Sequence, residues 1–329
     1  MKKGNITKIC LLVLFIVCIG CIFCLTGCNK KSKERTVTIN TRYTSLDLFT
    51  SVVIKEKKLM EKYLPEGVTV KWTSIVSGSE ERDALVSGSI DIGNISVIAF
   101  ATALANGMPL EYISYEGANL YQLYARDPSI NSISDLKSSD KISVSSIGTG
   151  PHTSFLLAAQ KDTGSVSKFA NSMITMTNSD AVTALISGTS GVDAVVCTFP
   201  TIIAAWESDE VHCVRDLSEE IKEYGIGNAF LTTEKYAEEN PDIIDAFIKA
   251  KDEAVDMMHN NREECISLMM SVYDNVNEEM ANMMLDYYVD FVDNGEGKYD
   301  KLMNFLYENG ILETEPISFD SIPKYQGNN

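Results

Sequence analysis

A phrase that occurs twice constrains the fold of this chain more than any other feature of its sequence. Ala84-Leu85-Val86-Ser87-Gly88 leads to Asp91, and Ala184-Leu185-Ile186-Ser187-Gly188 leads to Asp193. In each copy the pattern predicts an apolar helix that ends at glycine, an aspartate that opens a strand, and a polar loop. Because another apolar helix follows each loop, we expect two lobes that share one design.

Short apolar strands alternate with helices along most of the chain. The predicted strands lie at residues 36–40, 68–72, 90–93, 141–144 and 192–197. The predicted helices lie at residues 46–63, 80–87, 97–105, 201–206, 233–239, 241–260, 262–273 and 277–291. Residues 112–124 are aromatic and β-prone, and the chain is mostly helical from Asn228 onward. This alternation predicts an α/β protein whose parallel sheets carry helices on both faces.

The N-terminal segment predicts export. Three lysines precede an apolar run at residues 9–25, which ends in Leu25-Thr26-Gly27-Cys28. This order is typical of a signal peptide over residues 1–27, although the run is also close to the length that spans a bilayer. The last four residues resemble the lipobox of bacterial lipoproteins, which implies lipidation of Cys28. Residues 28–35 are basic and polar and predict a flexible tether.

Charge and length limit the classes of function. The chain has 28 Lys+Arg against 46 Asp+Glu, and no basic cluster follows the tether. A phosphate-binding surface needs such clusters, so we expect no nucleic-acid partner. The acidity suits the solubility of an exported protein. The length suits two lobes of ordinary domain size.

The cysteines and histidines predict neither a disulfide scaffold nor a metal site. Five of the eight cysteines lie within or at the end of the leader, and Cys197, Cys213 and Cys265 remain. We expect buried free thiols, with a Cys197–Cys213 disulfide as the alternative. The three histidines lack metal-ligand spacing, so neither a metal nor a cofactor is expected.

A glycine-bearing loop follows the predicted strand at residues 141–144. Gly148-Thr149-Gly150-Pro151-His152 opens a helix that runs to about residue 161. A helix N-terminus at the carboxyl end of a strand offers free N–H groups to an anion. The alternative is a structural turn in which proline starts the helix and the histidine is packed or solvated. The sequence leaves both interpretations open.

An ordered set of blocks resembles one family of transport proteins. The blocks are Val70-Lys71-Trp72, Ser77-Gly78, residues 84–93, Ala105-Asn106-Gly107-Met108-Pro109-Leu110, Ile133-Ser134-Asp135-Leu136-Lys137, Phe199-Pro200 and Glu239-Asn240-Pro241. Together they resemble the substrate-binding proteins of ABC transporters over residues 36–268. The resemblance is to the branch that binds aliphatic sulfonates, taurine and nitrate, and more loosely to binders of thiamine-pyrimidine precursors.

The resemblance implies a type II periplasmic-binding fold. In that fold two doubly wound α/β lobes are joined by two crossing hinge segments, and a ligand is held in the cleft as the lobes close. Carried over to this chain, lobe I begins at residues 36–121 and lobe II covers 122–227. Residues 228–329 return to lobe I and are expected to be mostly helical.

The resemblance also implies a set of ligand-binding residues. They are Thr41, Arg42, Tyr43, Gly78, Ser79, Asn94, Ser96, Gly148, Thr149, Gly150, His152, Thr198, Phe199 and Asn228. Arg42 either pairs with a charged ligand or faces solvent. Sulfonate binders often carry a loop with Gly, Thr and Pro where this chain has Asn94-Ile95-Ser96-Val97, so the polar contacts of that loop must differ.

The function that the resemblance implies is capture rather than catalysis. We expect a monomeric lipoprotein on the extracytoplasmic face of the cell membrane that delivers a small organic anion to an ABC permease and its ATPase. Common catalytic motifs are absent from the sequence. The alternatives are a binder of a thiamine-pyrimidine-like heterocycle, an enzyme of the pyrimidine-synthase-like branch, an enzyme in which His152 acts as a base beside Ser96 or Cys197, and a sensor subunit.

Overall fold

The computed structural model describes residues 34–42, 45–75, 77–188, 191–295 and 297–327. Cys28, the leader and most of the predicted tether lie outside these residues. The strands are β1 (Arg35–Asn40), β2 (Val68–Thr73), β3 (Gly93–Ser96), β4 (Leu110–Gly117), β5 (Tyr121–Ala125), β6 (Ile142–Val144), β7 (Met173–Thr175), β8 (Ala194–Thr198), β9 (His212–Asp216) and β10 (Asn228–Thr233).

Helices surround these strands and continue after them. They are α1 (Phe49–Glu56), α2 (Leu59–Tyr63), α3 (Gly78–Val86), α4 (Val97–Ala105), α5 (Gly150–Thr163), α6 (Asn178–Ser187), α7 (Ile202–Trp206), α8 (Ser218–Tyr224), α9 (Glu234–Glu239), α10 (Pro241–Asn260), α11 (Arg262–Val272), α12 (Glu278–Gly295) and α13 (Tyr299–Glu308). Among the helices of the described residues, none combines the length and the hydropathy that crossing a bilayer requires.

The strands form two lobes with the same strand order. In the first lobe β2 pairs with β1, and β10 lies between β3 and β4. A parallel bridge between Ile39 of β1 and Ile92, the residue directly before β3, places β1 beside β3. In the second lobe the order is β7-β6-β8-β5-β9. Strands β10 and β5 are antiparallel to both of their neighbours. The sheets are therefore mixed, and the expectation of parallel sheet was wrong for these two strands.

The duplicated phrase makes the same contacts in both lobes. Asp91 accepts a hydrogen bond from the Thr38 N–H at 2.7 Å, and Asp193 accepts one from the Lys141 N–H at 2.7 Å. In return, Thr38 O accepts from the Asp91 N–H and Lys141 O accepts from the Asp193 N–H. Asp91 thus fixes its helix-to-strand turn against β1, and Asp193 fixes its turn against Lys141, the residue directly before β6.

Two segments cross between the lobes, after β4 and before β10. Their backbones approach closely at Gly117 and Gly227. A Cβ atom on Gly227 would lie 2.3 Å from the carbonyl oxygen of Gly117 and 2.2 Å from the hydroxyl of Tyr115. The same hydroxyl donates to the Ile226 carbonyl at 3.2 Å. Only glycine leaves room for this crossing.

Tyr288 of α12 ties the first crossing to the core of the first lobe. Its hydroxyl accepts from the Thr50 N–H and donates to the Glu116 carbonyl, both at 3.0 Å. Its ring packs edge-on against Phe49 with 5.8 Å between the ring centroids. The C-terminal helices therefore hold the end of β4, where the polar site begins.

Several sequence-based boundaries were wrong. The helix expected at residues 46–63 is a short 3-10 helix (Leu46–Leu48) followed by α1 and α2, with a left-handed residue, Lys58, between the last two. The strand expected at residues 90–93 starts only at Gly93. The segment from Asn228 opens with strand β10, which the expectation of a mostly helical segment missed because the six residues Asn-Ala-Phe-Leu-Thr-Thr are too few to show a clear period.

The cysteines of the described residues, Cys197, Cys213 and Cys265, are free thiols. Strand β5 lies between β8, which carries Cys197, and β9, which carries Cys213. Two strand spacings put the cysteines about 10 Å apart, beyond the reach of a disulfide. The disulfide alternative was therefore wrong. Cys197 and Cys265 are buried as expected, but Cys213 is exposed.

We predict that Gly227→Ala lowers the free energy of unfolding by about 3 kcal/mol, because the added methyl group meets the backbone carbonyl of Gly117 as well as the hydroxyl of Tyr115. Urea denaturation measures the change. The control is Gly78→Ala, since a Cβ atom on Gly78 meets nothing within 4 Å. Equal stability of the two variants would show that the crossing does not need a glycine.

Candidate functional site

Polar residues converge where strands of both lobes end. We call this region the strand-end site; it comprises Asn40, Arg42, Asp47, Asn94, Glu116, Asn119, Asn228 and residues 148–152 and 198–200. Asn119, on the first crossing, donates from Nδ2 to the Ser45 hydroxyl at 3.0 Å and to the Phe199 carbonyl at 3.2 Å. It thereby joins a loop of each lobe. Open α/β sheets bind ligands at such strand ends.

Arg42 is paired within the protein. Its guanidinium donates to Glu81 Oε2 at 3.0 Å and to the Ile75 carbonyl at 3.3 Å. The Glu81 side chain is fully buried, and 13% of the Arg42 side chain is exposed. Arg42 therefore does not face solvent, and Glu81 compensates its charge.

Glu81 also binds the strand-end loop of β3. Its Oε1 accepts from the Asn94 N–H at 2.6 Å. Burial raises the pKa of Glu81, while the Asn94 N–H and the charge of Arg42 oppose that rise. Asn94 Nδ2 donates to the Asn40 carbonyl at 3.4 Å. The ion pair therefore holds Asn94 in place through its backbone.

Two further carboxyl groups lie beside the crossings. Asp47 Oδ2 accepts from Asn228 Nδ2 at 3.2 Å, and Glu116 Oε1 accepts from the Ser51 N–H at 3.3 Å. Burial raises the pKa of Glu116 well above its usual range, and the charge of Asp47 adds to the rise. Burial also raises the pKa of Asp47, against hydrogen bonding from Ser45. This side of the site is rich in acceptor oxygens.

The loop before α5 carries hydrogen-bond donors. The Gly148 N–H donates to His152 Nδ1 at 3.2 Å, which places the imidazole proton on Nε2. Burial lowers the pKa of His152, so the ring is neutral at neutral pH. Thr149 occupies the N-cap position, but its hydroxyl donates to the Ser146 carbonyl at 2.6 Å. No side chain of the described residues caps this helix, and its first N–H groups are suited to an anion.

Gly150 lies against an aromatic ring of the same lobe. A Cβ atom there would lie 2.6 Å from the hydroxyl of Tyr121, the first residue of β5 after the crossing. The loop therefore approaches the crossing closely, and glycine permits it. Substitutions at Gly150 would disturb Tyr121 as well as the loop, so they do not test anion binding alone.

Some predicted site residues stabilise the fold around the site. The Thr41 hydroxyl bonds the Ser51 hydroxyl at 2.7 Å. Ser96 caps α4 by accepting from the Ala99 N–H at 3.1 Å. These side chains shape the loops after β1 and β3.

Others lie at the margins of the site or within the second lobe. Thr198 accepts from Asn178 Nδ2 at 2.7 Å. Phe199 is buried and packs against Tyr273 with 4.8 Å between the ring centroids. Gly78 and Ser79 are exposed at the start of α3. Tyr43 lies outside the described residues.

The acidic half of the site was not predicted from the sequence. Asp47, Glu81 and Glu116 were not among the predicted residues, although Asp47 accepts a hydrogen bond from Asn228 and Glu81 accepts one from Arg42. Glu116 carried a usable signal, because a carboxylate stands within an aromatic, β-prone run at residues 112–124. Buried carboxylates are rare unless they are paired or functional.

A thiol and a groove also lie near the site in the part of the chain that the structure describes. No cluster of histidine, cysteine and acidic side chains in this part of the chain is arranged to hold a metal ion. Burial raises the pKa of the Cys197 thiol, which makes it a poor nucleophile. A groove of about 480 Å³ next to the site is lined by Pro200 and Tyr273 among others. It shares only Pro200 with the strand-end site.

We predict that Glu116→Gln stabilises the protein at neutral pH and that the gain disappears below about pH 4. The folded pKa of Glu116 lies above the unfolded value of about 4.3, so the folded state keeps a proton that the unfolded state releases as pH rises. Because the folded state binds this proton more tightly than the unfolded state does, the stability of the parent falls as the pH rises above about 4.3. Glutamine does not titrate, which removes the effect.

Urea denaturation from pH 4 to pH 8 measures the gain. The control is Glu80→Gln, which replaces an exposed carboxylate and is expected to change stability by less than about 0.5 kcal/mol. If the stability of Glu116→Gln changes with pH in the same way as that of the parent, the raised pKa of Glu116 in the folded state is contradicted.

Solved structures share this fold. The periplasmic aliphatic sulphonate binding protein SsuA of Escherichia coli superposes with a TM-score of 0.69 at 23% identity, covering 88% of this chain and 98% of that one. The alkanesulfonate-binding protein SsuA of Xanthomonas axonopodis pv. citri, bound to MOPS, superposes with a TM-score of 0.68 at 17% identity, covering 89% and 99%. The expected type II periplasmic-binding fold is confirmed.

Sequence comparisons agree with the structural ones. A protein of Escherichia coli (strain K12) that is named for binding aliphatic sulfonates is 29% identical over 222 residues, which are 66% of this chain and 66% of that protein. The family model described as NMT1/THI5 like matches residues 63–265, more than half of the chain. This chain belongs to the NMT1/THI5-like family.

Proposed function

We propose that this protein is the solute-binding component of an ABC importer and captures a small organic anion in the cleft between its lobes. The observation that carries the proposal is the donor-rich start of α5, where no described side chain caps the helix and a neutral histidine adds an N–H group. It lies beside the segment that joins the two lobes. The names of the relatives support a sulfonate as the anion.

The anion is held by neutral donors. Glu81 compensates the charge of Arg42, and His152 is uncharged at neutral pH. Backbone N–H groups and the positive end of a helix stabilise a singly charged oxyanion without a partner cation. In this proposal Gly148, Thr149, Gly150 and His152 surround the anionic head of the ligand.

The lobes move as hinged bodies in this proposal. Lobe I would comprise residues 36–121 and 228–329, and lobe II residues 122–227. The strand order supports this division, because β5 to β9 form the second sheet and β10 returns to the first. Asn119 bonds a loop of each lobe, so closure of the hinge would tighten the site around a ligand.

The proposal places the protein outside the cytoplasm as a monomer. A signal peptide over residues 1–27 would direct export, and lipidated Cys28 would anchor the chain to the membrane through the tether at 28–35. The permease and its ATPase would then receive the ligand. Catalysis is not proposed, because Ser96 serves as a helix cap and the Cys197 thiol is buried.

We predict that His152→Ala weakens binding of ethanesulfonate by about 1–3 kcal/mol, because the variant loses a buried hydrogen-bond donor. Isothermal titration calorimetry measures the change, and thermal unfolding verifies that the variant folds. His259→Ala is the control, since His259 is an exposed residue that pairs with Asp293. Unchanged affinity of His152→Ala would rule out its imidazole as a ligand donor.

We predict that Cys28→Ala abolishes incorporation of labelled fatty acid, because acylation needs the thiol of that cysteine. Metabolic labelling in a bacterial host followed by gel analysis gives the readout. Cys24→Ala is the matched control, as it removes a cysteine that the signal peptidase would discard. If Cys28→Ala still incorporates labelled fatty acid, or if both variants lose it, Cys28 is not the site of lipidation.

A further inference from the structure

Three grooves lie side by side where helices α7 and α12 meet. The first is the groove of about 480 Å³ described above, which Tyr273 and Glu207 line. The second, of about 310 Å³, is lined by Trp206 and Met283, and the third, of about 390 Å³, by Met283 and Tyr287. Met283 joins the second groove to the third, and the neighbours Trp206 and Glu207 join the second to the first. We call the depression that these five residues line the α7–α12 furrow.

The floor of the furrow is apolar and follows one face of α12. Met280, Met283 and Tyr287 line it at spacings of three and four residues, which places them on one stripe of the helix. Trp206 lines the furrow from α7, and its indole N–H donates to Gln122 Oε1 at 3.2 Å, which fixes the ring. These methionine and aromatic side chains are only half-buried. Such a groove suits the apolar face of a partner helix.

An acidic stripe borders this apolar stripe. Glu279, Asp286 and Asp290 line the grooves and follow α12 at spacings of seven and four residues, so they share a second stripe of the helix. Asp286 pairs with Arg262, and Asp290 pairs with Lys222. The charges of these two aspartates are therefore compensated within the protein, whereas that of Glu279 is not.

Three carboxylates of the furrow are available to a partner. Glu207 and Asp274 line the first groove, and Glu279 lines the second. All three are exposed, and none forms an ion pair with another residue that the structure describes. An exposed ion pair adds little affinity by itself. Together with an apolar floor, however, the three charges select a partner whose apolar stripe is flanked by cations.

The furrow has the length of a short peptide helix. Between Glu279 and Asp290 helix α12 rises about 17 Å, which is roughly three helical turns. The groove at Tyr273 continues the furrow beyond the start of α12. Helix α7 follows β8 of the second sheet, whereas Tyr288 of α12 accepts a hydrogen bond from Thr50 of the first lobe. An occupant of the furrow therefore touches an element of each lobe.

We propose that the α7–α12 furrow is a docking surface for a basic amphipathic helix of a partner protein. The apolar stripe of the partner covers Met283 and Trp206, and its Lys or Arg side chains pair with Glu207, Asp274 and Glu279. The same carboxylates repel the anionic head groups of a membrane surface. This inference goes beyond the proposed function and does not depend on which ligand the cleft holds.

The test uses two synthetic peptides of about 14 residues, which is enough for a helix of the length of the furrow. The first carries leucines on one helical face and lysines on both borders of that face. The second has the same composition in a scrambled order, so it keeps the charge but loses the apolar stripe. By isothermal titration calorimetry, we expect the amphipathic peptide to bind the parent protein roughly 10-fold or more tightly than the scrambled one.

Two variants locate the binding of the amphipathic peptide. Met283→Glu is expected to weaken it roughly 10-fold or more, because a charge replaces part of the apolar floor. Glu279→Lys is expected to weaken it roughly 5-fold or more, because repulsion replaces attraction. The matched control is Glu278→Lys, which reverses an exposed charge in the same first turn of α12 but outside the furrow. We expect Glu278→Lys to change the affinity by less than about 2-fold.

Each other outcome counts against the docking surface. If both peptides bind the parent equally, the attraction is charge alone and the furrow is not a docking surface. Equal losses in Glu278→Lys and Glu279→Lys would lead to the same conclusion. If neither peptide binds, the inference is wrong, while capture of an anion, measured separately with ethanesulfonate, is unaffected. The comparison of the two peptides on the parent remains decisive even if a variant does not fold.

Discussion

The close approach of the two crossing segments is the constraint on which the rest of this structure depends. The chain leaves the first lobe after β4 and returns to it before β10, and the two backbones meet where neither Gly117 nor Gly227 has a side chain. The crossings deliver β5 and β10 as antiparallel strands into sheets that are otherwise built from consecutive units. Glu116, Asn119 and Asn228 lie in or next to these segments, so the geometry of the crossing also positions the polar site.

Buried electrostatics then divide the site into two chemical halves. In the first lobe, Glu81 compensates Arg42, and other carboxyl oxygens stay unsatisfied beside it. In the second lobe, the loop before α5 presents N–H groups and a neutral imidazole. Burying a lone charge is costly, so the fold holds Arg42 in an internal ion pair with Glu81.

Individual residues show which parts of the fold and of the candidate site could be predicted from the sequence. The loop at Gly148 to His152 was predicted as a strand-end helix start, and the structure places it there, because glycine, proline and strand patterns act locally. The sequence left open whether Arg42 faces solvent or a charged ligand. In the structure it pairs with Glu81, a residue 39 positions away. Asp47 was missed because nothing local distinguishes an acid in a site from an acid on a surface. Glu116 was missed although it stands within an aromatic, β-prone run. The expected strand at residues 90–93 began late because the Asp91 turn binds Thr38 first.

What the sequence by itself determined is what short-range patterns encode: the α/β class, the duplicated helix-to-strand unit, the long C-terminal helices, and by resemblance the family. The tertiary structure alone decided the insertion of β10 and β5 as antiparallel strands, the separation of Cys197 from Cys213, and the partners of every buried charge. The physical reason is the separation along the chain between the residues that each effect brings together. Helix periodicity and turn chemistry act over a few residues, whereas burial, desolvation and ion pairing depend on segments that meet only after the chain has crossed between its lobes.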